Sequence, residues 1–152
     1  MDQYLTFRLK DELFGLPISL VREINRVAEV TPIPKAPHFV KGVMNLRGKI
    51  VPIVDLRVKF DMEETPYTRD TCIIVIETPF GLLGNIVDAV REVLEFPQSD
   101  IEPAPHFGSQ ELTKFITGLA KKEDKVYILV NITHLFGTED WHSLSQVGAQ
   151  AA

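Results

Sequence analysis

Cysteine is almost absent from this sequence. Cys72 is the only one in 152 residues, so no disulfide can close within the chain. It stands in Thr71-Cys72-Ile73-Ile74, an apolar setting that predicts a small buried thiol. Long hydrophobic runs are missing as well. The longest uncharged apolar stretch, Thr78 to Val87, has 10 residues and includes Gly81 and Gly84. A membrane-spanning helix needs roughly 20. The opening Met1-Asp2-Gln3-Tyr4 lacks the basic patch and apolar core of a signal peptide, so a cytosolic protein without direct membrane insertion is expected. Positive charge is in deficit: 16 Lys and Arg face 21 Asp and Glu, for a net charge of −5. The only adjacent basic pair is Lys121-Lys122. A phosphate-backbone binder concentrates Lys and Arg on one face, so nucleic acid is not an expected partner.

Catalytic signatures are equally scarce. The four histidines, His38, His106, His134 and His142, have no Cys, His or Asp at ligand spacing within a defined element. No Gly-rich phosphate cradle precedes a helix, since Gly81-Leu82-Leu83-Gly84 lies inside a strand pattern. There is no Gly-x-Ser-x-Gly elbow. Asp55-Leu56-Arg57 and Asp88 offer carboxylates, but carboxylates at strand ends usually cap turns. The expectation is a protein with no catalytic residue, no metal and no cofactor.

What the chain does have is 45% hydrophobic residues in short alternating runs, enough for one domain or two very small ones sharing a core. Leu5, Phe7 and Leu9 alternate with polar residues, and Asp11-Glu12 turns the chain toward Leu13-Phe14-Gly15-Leu16, predicting a hairpin. Ser19 is placed to cap a short helix through Ile24, with Val27 and Val30 extended again. Pro32, Pro34 and Pro37 mark a connection. Arg47-Gly48 turns a second hairpin, which ends in a helical turn from Leu56 to Phe60. Residues 61–69 are polar and read as a linker. Strands over Thr71–Ile76, Leu82–Val87 and Ala89–Phe96 follow, then a loop over 97–110 and a hairpin around Glu123-Asp124. The tail from 138 to 152 is small and polar, and frays unless Trp141 docks.

Internal repeats turn this string of strands into an architecture. Phe14-Gly15-Leu16 recurs as Phe80-Gly81-Leu82, 66 residues on, and Val21-Arg22-Glu23-Ile24 as Val90-Arg91-Glu92-Val93, 69 on. Ala36-Pro37-His38-Phe39 recurs unchanged at Ala104-Pro105-His106-Phe107, and Gly42 to Phe60 lies without a gap on Gly118 to Phe136. Regular strand spacing in any all-β chain can mimic such matches, but four in the same order point to duplication. The halves are about 4–60 and 70–137. Each has the strands for a small five-stranded barrel of the SH3-like or OB-like kind. The fold expected is all-β: two such barrels packed together, with short helices and with strand exchange between the equivalent halves left open. Two thin barrels leave a groove between them. The apolar residues Val21, Ile24 and Val27, interleaved with charges, suit such a groove as a protein-docking surface.

The run Phe39-Val40-Lys41-Gly42-Val43-Met44-Asn45-Leu46-Arg47-Gly48-Lys49-Ile50-Val51-Pro52-Ile53-Val54-Asp55-Leu56-Arg57 resembles the signature of the CheW family of bacterial chemotaxis coupling proteins. The resemblance continues through Leu83-Gly84-Asn85-Ile86-Val87-Asp88-Ala89-Val90 and Ile116-Thr117-Gly118-Leu119 and covers about residues 4 to 137. It implies two exchanged five-stranded barrels and a non-enzymatic adaptor. That adaptor joins methyl-accepting chemoreceptor cytoplasmic tips to the regulatory domain of the histidine kinase CheA, in the cytoplasm at membrane-associated receptor arrays. It also implies a receptor-binding groove at Leu5, Ile18, Val21, Ile24, Val90 and Val93, and an assembly-linked ion pair between Glu23 and Arg47. Gly118 matches a glycine whose alteration impairs coupling in the family. An OB-type nucleic-acid binder is the rival reading, and it would need a basic face with exposed aromatics.

Overall fold

The computed structural model describes residues 2–27, 30–103, 114–136 and 140–144. The first alternating segment forms the hairpin β1 (Asp2–Leu9) and β2 (Glu12–Pro17), with Leu5 opposite Leu16 and Phe7 opposite Phe14. After a 3-10 turn at Ile18–Leu20 come β3 (Val21–Arg26), β4 (Val40–Leu46) and β5 (Lys49–Asp55). A single helical turn, α1 (Leu56–Lys59), follows. The Asp55 side chain caps it by accepting from the Arg57 N–H. The second half continues with β6 (Cys72–Thr78), β7 (Gly81–Val87), β8 (Ala89–Phe96), the two-residue β9 (Ile101–Glu102), β10 (Ile116–Lys122) and β11 (Lys125–Val130). Asn131, aligned with Asp55 in the repeat, caps the closing 3-10 turn Ile132–Leu135 in the same way.

The strands form two sheets, ordered β8-β1-β2-β11-β10-β9 and β3-β6-β7-β5-β4. The repeat makes their relation plain. Each unit holds the first hairpin of one half and the last three long strands of the other, so the hairpins β1–β2 and β6–β7 have changed places. Both units have the same topology, down to a parallel pairing of β2 with β11 and of β7 with β5. The all-β class with two small strand-exchanged units is therefore the observed one.

Two sequence expectations are corrected. The helix through Ile24 does not form: only Ile18–Leu20 is helical, and Val21–Arg26 is a strand paired with β6. The β-branched Val21 and Ile24 and the alternating burial of the segment favour the pleat over a helix. The Phe-Gly-Leu match is also out of register. Gly15 pairs with Leu129 and Gly84 with Ile53, so Gly84, and not Gly81, is the counterpart of Gly15. The true offset of the hairpins is the 69 residues of the Val-Arg-Glu match, and Phe80 sits in a turn. The second copy of Ala-Pro-His-Phe, at 104–107, lies outside the described residues. Cys72 is half-buried, and burial raises its thiol pKa.

Three hydrophobic cores form among the described residues. One belongs to the β3–β7 unit (Met44, Leu46, Val51, Ile53, Ile73, Val75, Ile86), and a smaller, aromatic one to the other unit (Tyr4, Phe96, Ala120, Tyr127, Leu129). The largest draws on both sheets, with Leu5, Phe7, Leu9, Phe14 and Leu16 against Val54, Ile74, Ile76, Leu83 and Val87. The exchanged hairpins are buried on both faces. One face of β1 fills its own unit, and the other fills the interface.

Candidate functional site

The surface of interest follows from the register of two edge strands. On β3, Val21 lies opposite Ile76 and Ile24 opposite Ile74; on β8, Val90 lies opposite Phe7 and Val93 opposite Leu5. Directly opposed residues of an antiparallel pair share a face. All four partners belong to the interface core. Val21, Ile24, Val90 and Val93 therefore rim the junction between the units, at repeat-equivalent positions. Each edge strand also carries a bulge at the same place, at Arg22 on β3 and Arg91-Glu92 on β8.

Exposure grades the six residues expected in a groove. Ile24 and Val93 are 45% and 46% exposed. Ile18, Val21 and Val90 are half-buried against the interface core. Leu5 is 3% exposed, so it is the floor of the junction and offers no contact surface in this conformation.

Arg47 and Glu23 meet. Arg47 sits at the tip of the β4–β5 hairpin with φ of 50°, followed by Gly48 at 86°, the left-handed pair that a two-residue hairpin turn requires. Asn45 holds the turn by accepting from the Gly48 N–H. From there the guanidinium reaches over to β3 and donates through both terminal nitrogens to the Glu23 carboxylate. That hydrogen bond holds the Glu23 carboxyl below the usual carboxylate range. An open cleft of about 500 Å³ lies here, lined by Val21, Arg22, Glu23, Leu46, Arg47, Lys49 and Leu82. The cleft thus joins a rim residue, Val21, to the ion pair.

Gly118 lies away from this rim, at a bulge of β10 next to its antiparallel pairing with β9. A Cβ there would stand 2.7 Å from Ile101 Cγ2 and 3.0 Å from the Glu102 carbonyl oxygen. Its repeat partner Gly42 lies at the matching bulge of β4, where Thr31 bridges to Val43.

Sequence reasoning passed over one cluster. Arg57, 1% exposed, donates through Nε and Nη2 to Asp55 at 3.1 and 2.9 Å, and through Nη1 to Asp88 at 3.0 Å. The same Nη1 reaches the Thr65 carbonyl and hydroxyl, both at 3.0 Å, and Tyr67 lies over the guanidinium at 5.5 Å. Asp88 also accepts from the Lys10 N–H at the β1–β2 turn. One side chain therefore ties α1, the linker and the hairpin exchanged into the other unit. The sequence offered Asp55-Leu56-Arg57 and Asp88 as carboxylates that cap turns; Asp55 does cap α1, but nothing in the sequence showed that both acids would hold Arg57.

Among the described residues no group of three or more His, Cys, Asp or Glu could hold a metal. His38 and His134 are exposed; His38 lies in the connection before β4 and His134 in the 3-10 turn Ile132–Leu135. No helix among the described residues is long and apolar enough to cross a membrane.

Comparison with known proteins places this geometry. Residues 3–140 match the family model of the CheW-like domain. The chain is 41% identical over 139 residues to the chemotaxis protein CheW of Klebsiella aerogenes, covering 91% of this chain and 84% of that one. It is 35% identical over 138 residues to CheW of Rhizobium meliloti, covering 91% and 89%. Among solved structures it is similar to the scaffolding protein TtCheW of Thermoanaerobacter tengcongensis, with a TM-score of 0.83 and 37% identity over 91% of this chain and 94% of that one.

Proposed function

Because the chain belongs to the CheW family, we propose that it is a non-enzymatic scaffold adaptor coupling methyl-accepting chemoreceptor cytoplasmic tips to the regulatory domain of the histidine kinase CheA. It works in the cytoplasm, recruited to membrane-associated receptor arrays. The observation that carries the reading is the pair of exposed aliphatic residues, Ile24 and Val93, set symmetrically on the rim of the inter-unit core. Large aliphatic side chains left in water at a junction between units are what a partner's apolar face would cover. Val21 and Val90 continue the rim inward, and the Glu23–Arg47 pair fixes the wall of the adjoining cleft. An adaptor needs a shaped surface with separate faces for two partners, and the two-unit build supplies one. The OB-type nucleic-acid reading has little behind it, given the net charge of −5.

The test is a pull-down with the tagged chain from cytosol plus membranes. The proposal expects a histidine kinase and chemoreceptors to be recovered together. Recovery of nucleic acid with neither protein would overturn it.

A further inference from the structure

Val21 and Ile24 stand three residues apart in the chain, and so do Val90 and Val93. In a regular strand, side chains at that spacing point to opposite faces. The bulges bring each pair onto one face. Leu5 and Phe7, two apart on β1, lie opposite Val93 and Val90, with Arg91-Glu92 as the extra length between them. On β3 the extra residue is Arg22, between Val21 opposite Ile76 and Glu23 opposite Val75. The apolar rim therefore exists only while both bulges hold.

The two bulges are held by different means. Beside the one on β3, Glu23 is gripped through its carboxylate by Arg47. The repeat puts Glu92 in the place of Glu23, but it puts Glu123 in the place of Arg47. Two carboxylates cannot form that pair. Thr6 acts there instead. Its Oγ1 donates to the Glu92 carbonyl oxygen at 2.6 Å and accepts from the Glu92 N–H at 3.0 Å. One hydroxyl can do both, as donor and acceptor at once. The repeat counterpart of Thr6 is Val75, and both are 0% exposed. Val75 has no polar side-chain atom, and it faces Glu23 directly in the β3–β6 register. Thr6 has no such partner in the β1–β8 register, and its side chain bridges the gap.

We propose that Thr6 is a positioning residue for receptor docking: its hydroxyl locks the β8 bulge and so keeps Val90 and Val93 together on the rim. This rests on the rim being the docking surface. Thr6 does for the second edge strand what the Glu23–Arg47 pair does for the first.

The test compares Thr6→Val, Thr6→Ser and Val93→Arg with wild type in binding to a chemoreceptor cytoplasmic fragment. Amide exchange at Glu92 is followed by NMR in the free chains. Thr6→Val copies the residue that the other unit buries at this place, so the fold is expected to accept it. It is expected to speed exchange at Glu92 about tenfold, to leave Val51 and Ile53 of β5 unchanged, and to weaken receptor binding about fivefold. Thr6→Ser keeps the hydroxyl and is expected to stay within about twofold of wild type in both. Wild-type binding by Thr6→Val beside impaired binding by Val93→Arg would overturn the lock alone, and Thr6 would be a packing residue. Unchanged exchange at Glu92 in Thr6→Val would overturn it as well. Wild-type binding by Val93→Arg would instead remove the rim as the docking surface, and the role of Thr6 in docking with it.

Discussion

Arg57 carries its charge into the interior, where Asp55 and Asp88 meet it at hydrogen-bond distance. Such an arrangement costs much desolvation and repays it only when every partner is present. Arg57→Met would strand two carboxylates, so a loss of about 3–5 kcal/mol is expected in urea unfolding. Arg57→Lys should rescue little of it, because an ammonium cannot fork onto Asp55 while also reaching Asp88 and Thr65. A near-wild-type Arg57→Met would show that the cluster is not what fixes the linker. The solvent-exposed Glu23–Arg47 pair is the opposite case, with geometry in place of stability as its contribution. Arg47→Glu and Glu23→Arg should each weaken assembly with receptor and kinase while leaving the unfolding midpoint in place. The double swap should recover a good part of that loss. A double-mutant cycle on assembly measures the coupling, and a value near zero would mean that Arg47 meets a partner directly.

At the scale of strands and turns, the matching bulges show what duplication preserves. Gly42 and Gly118 hold equivalent places because a neighbouring segment approaches the strand where a side chain would stand. The two are not equally tight. At Gly42 a Cβ would fall 2.0 Å from the Thr31 carbonyl oxygen with φ at 145°, whereas at Gly118 the closest atoms are the Ile101 Cγ2 methyl at 2.7 Å and the Glu102 carbonyl oxygen at 3.0 Å. Gly118→Ala should therefore cost about 1–3 kcal/mol and shift β9. Gly42→Ala should cost more, and comparing their unfolding midpoints checks the order. Reading these elements from sequence worked where local chemistry decides. Arg47-Gly48 and Glu123-Asp124 are turn pairs that adopt positive φ, and Asp55 and Asn131 cap their turns as short polar side chains do. It failed where pairing decides. Nothing local distinguishes Gly81 from Gly84 as the counterpart of Gly15; only the parallel partner strand does. The segment from Val21 to Arg26 likewise owes its pleat to β6.

For the whole molecule, the exchange of hairpins joins the two units through one continuous core, and the repeat in the sequence left that exchange open while the two sheets show it. The same packing decides which of the residues expected in the groove can touch anything. Leu5 and Val93 sit opposite each other and their residue types say nothing about depth, yet one is 3% exposed and the other 46%. The difference lies in position: β1 is covered on both sides and β8 is an edge. The account rests on this rim being the receptor-facing surface. The direct measurement is reconstitution of the chain with CheA and a chemoreceptor cytoplasmic fragment, comparing wild type with the double variant Ile24→Arg, Val93→Arg. Exposed positions accept a charge with little cost to folding. The account predicts an unchanged unfolding midpoint, retained kinase binding and receptor binding weakened about tenfold or more. Receptor binding that survives both arginines would contradict it.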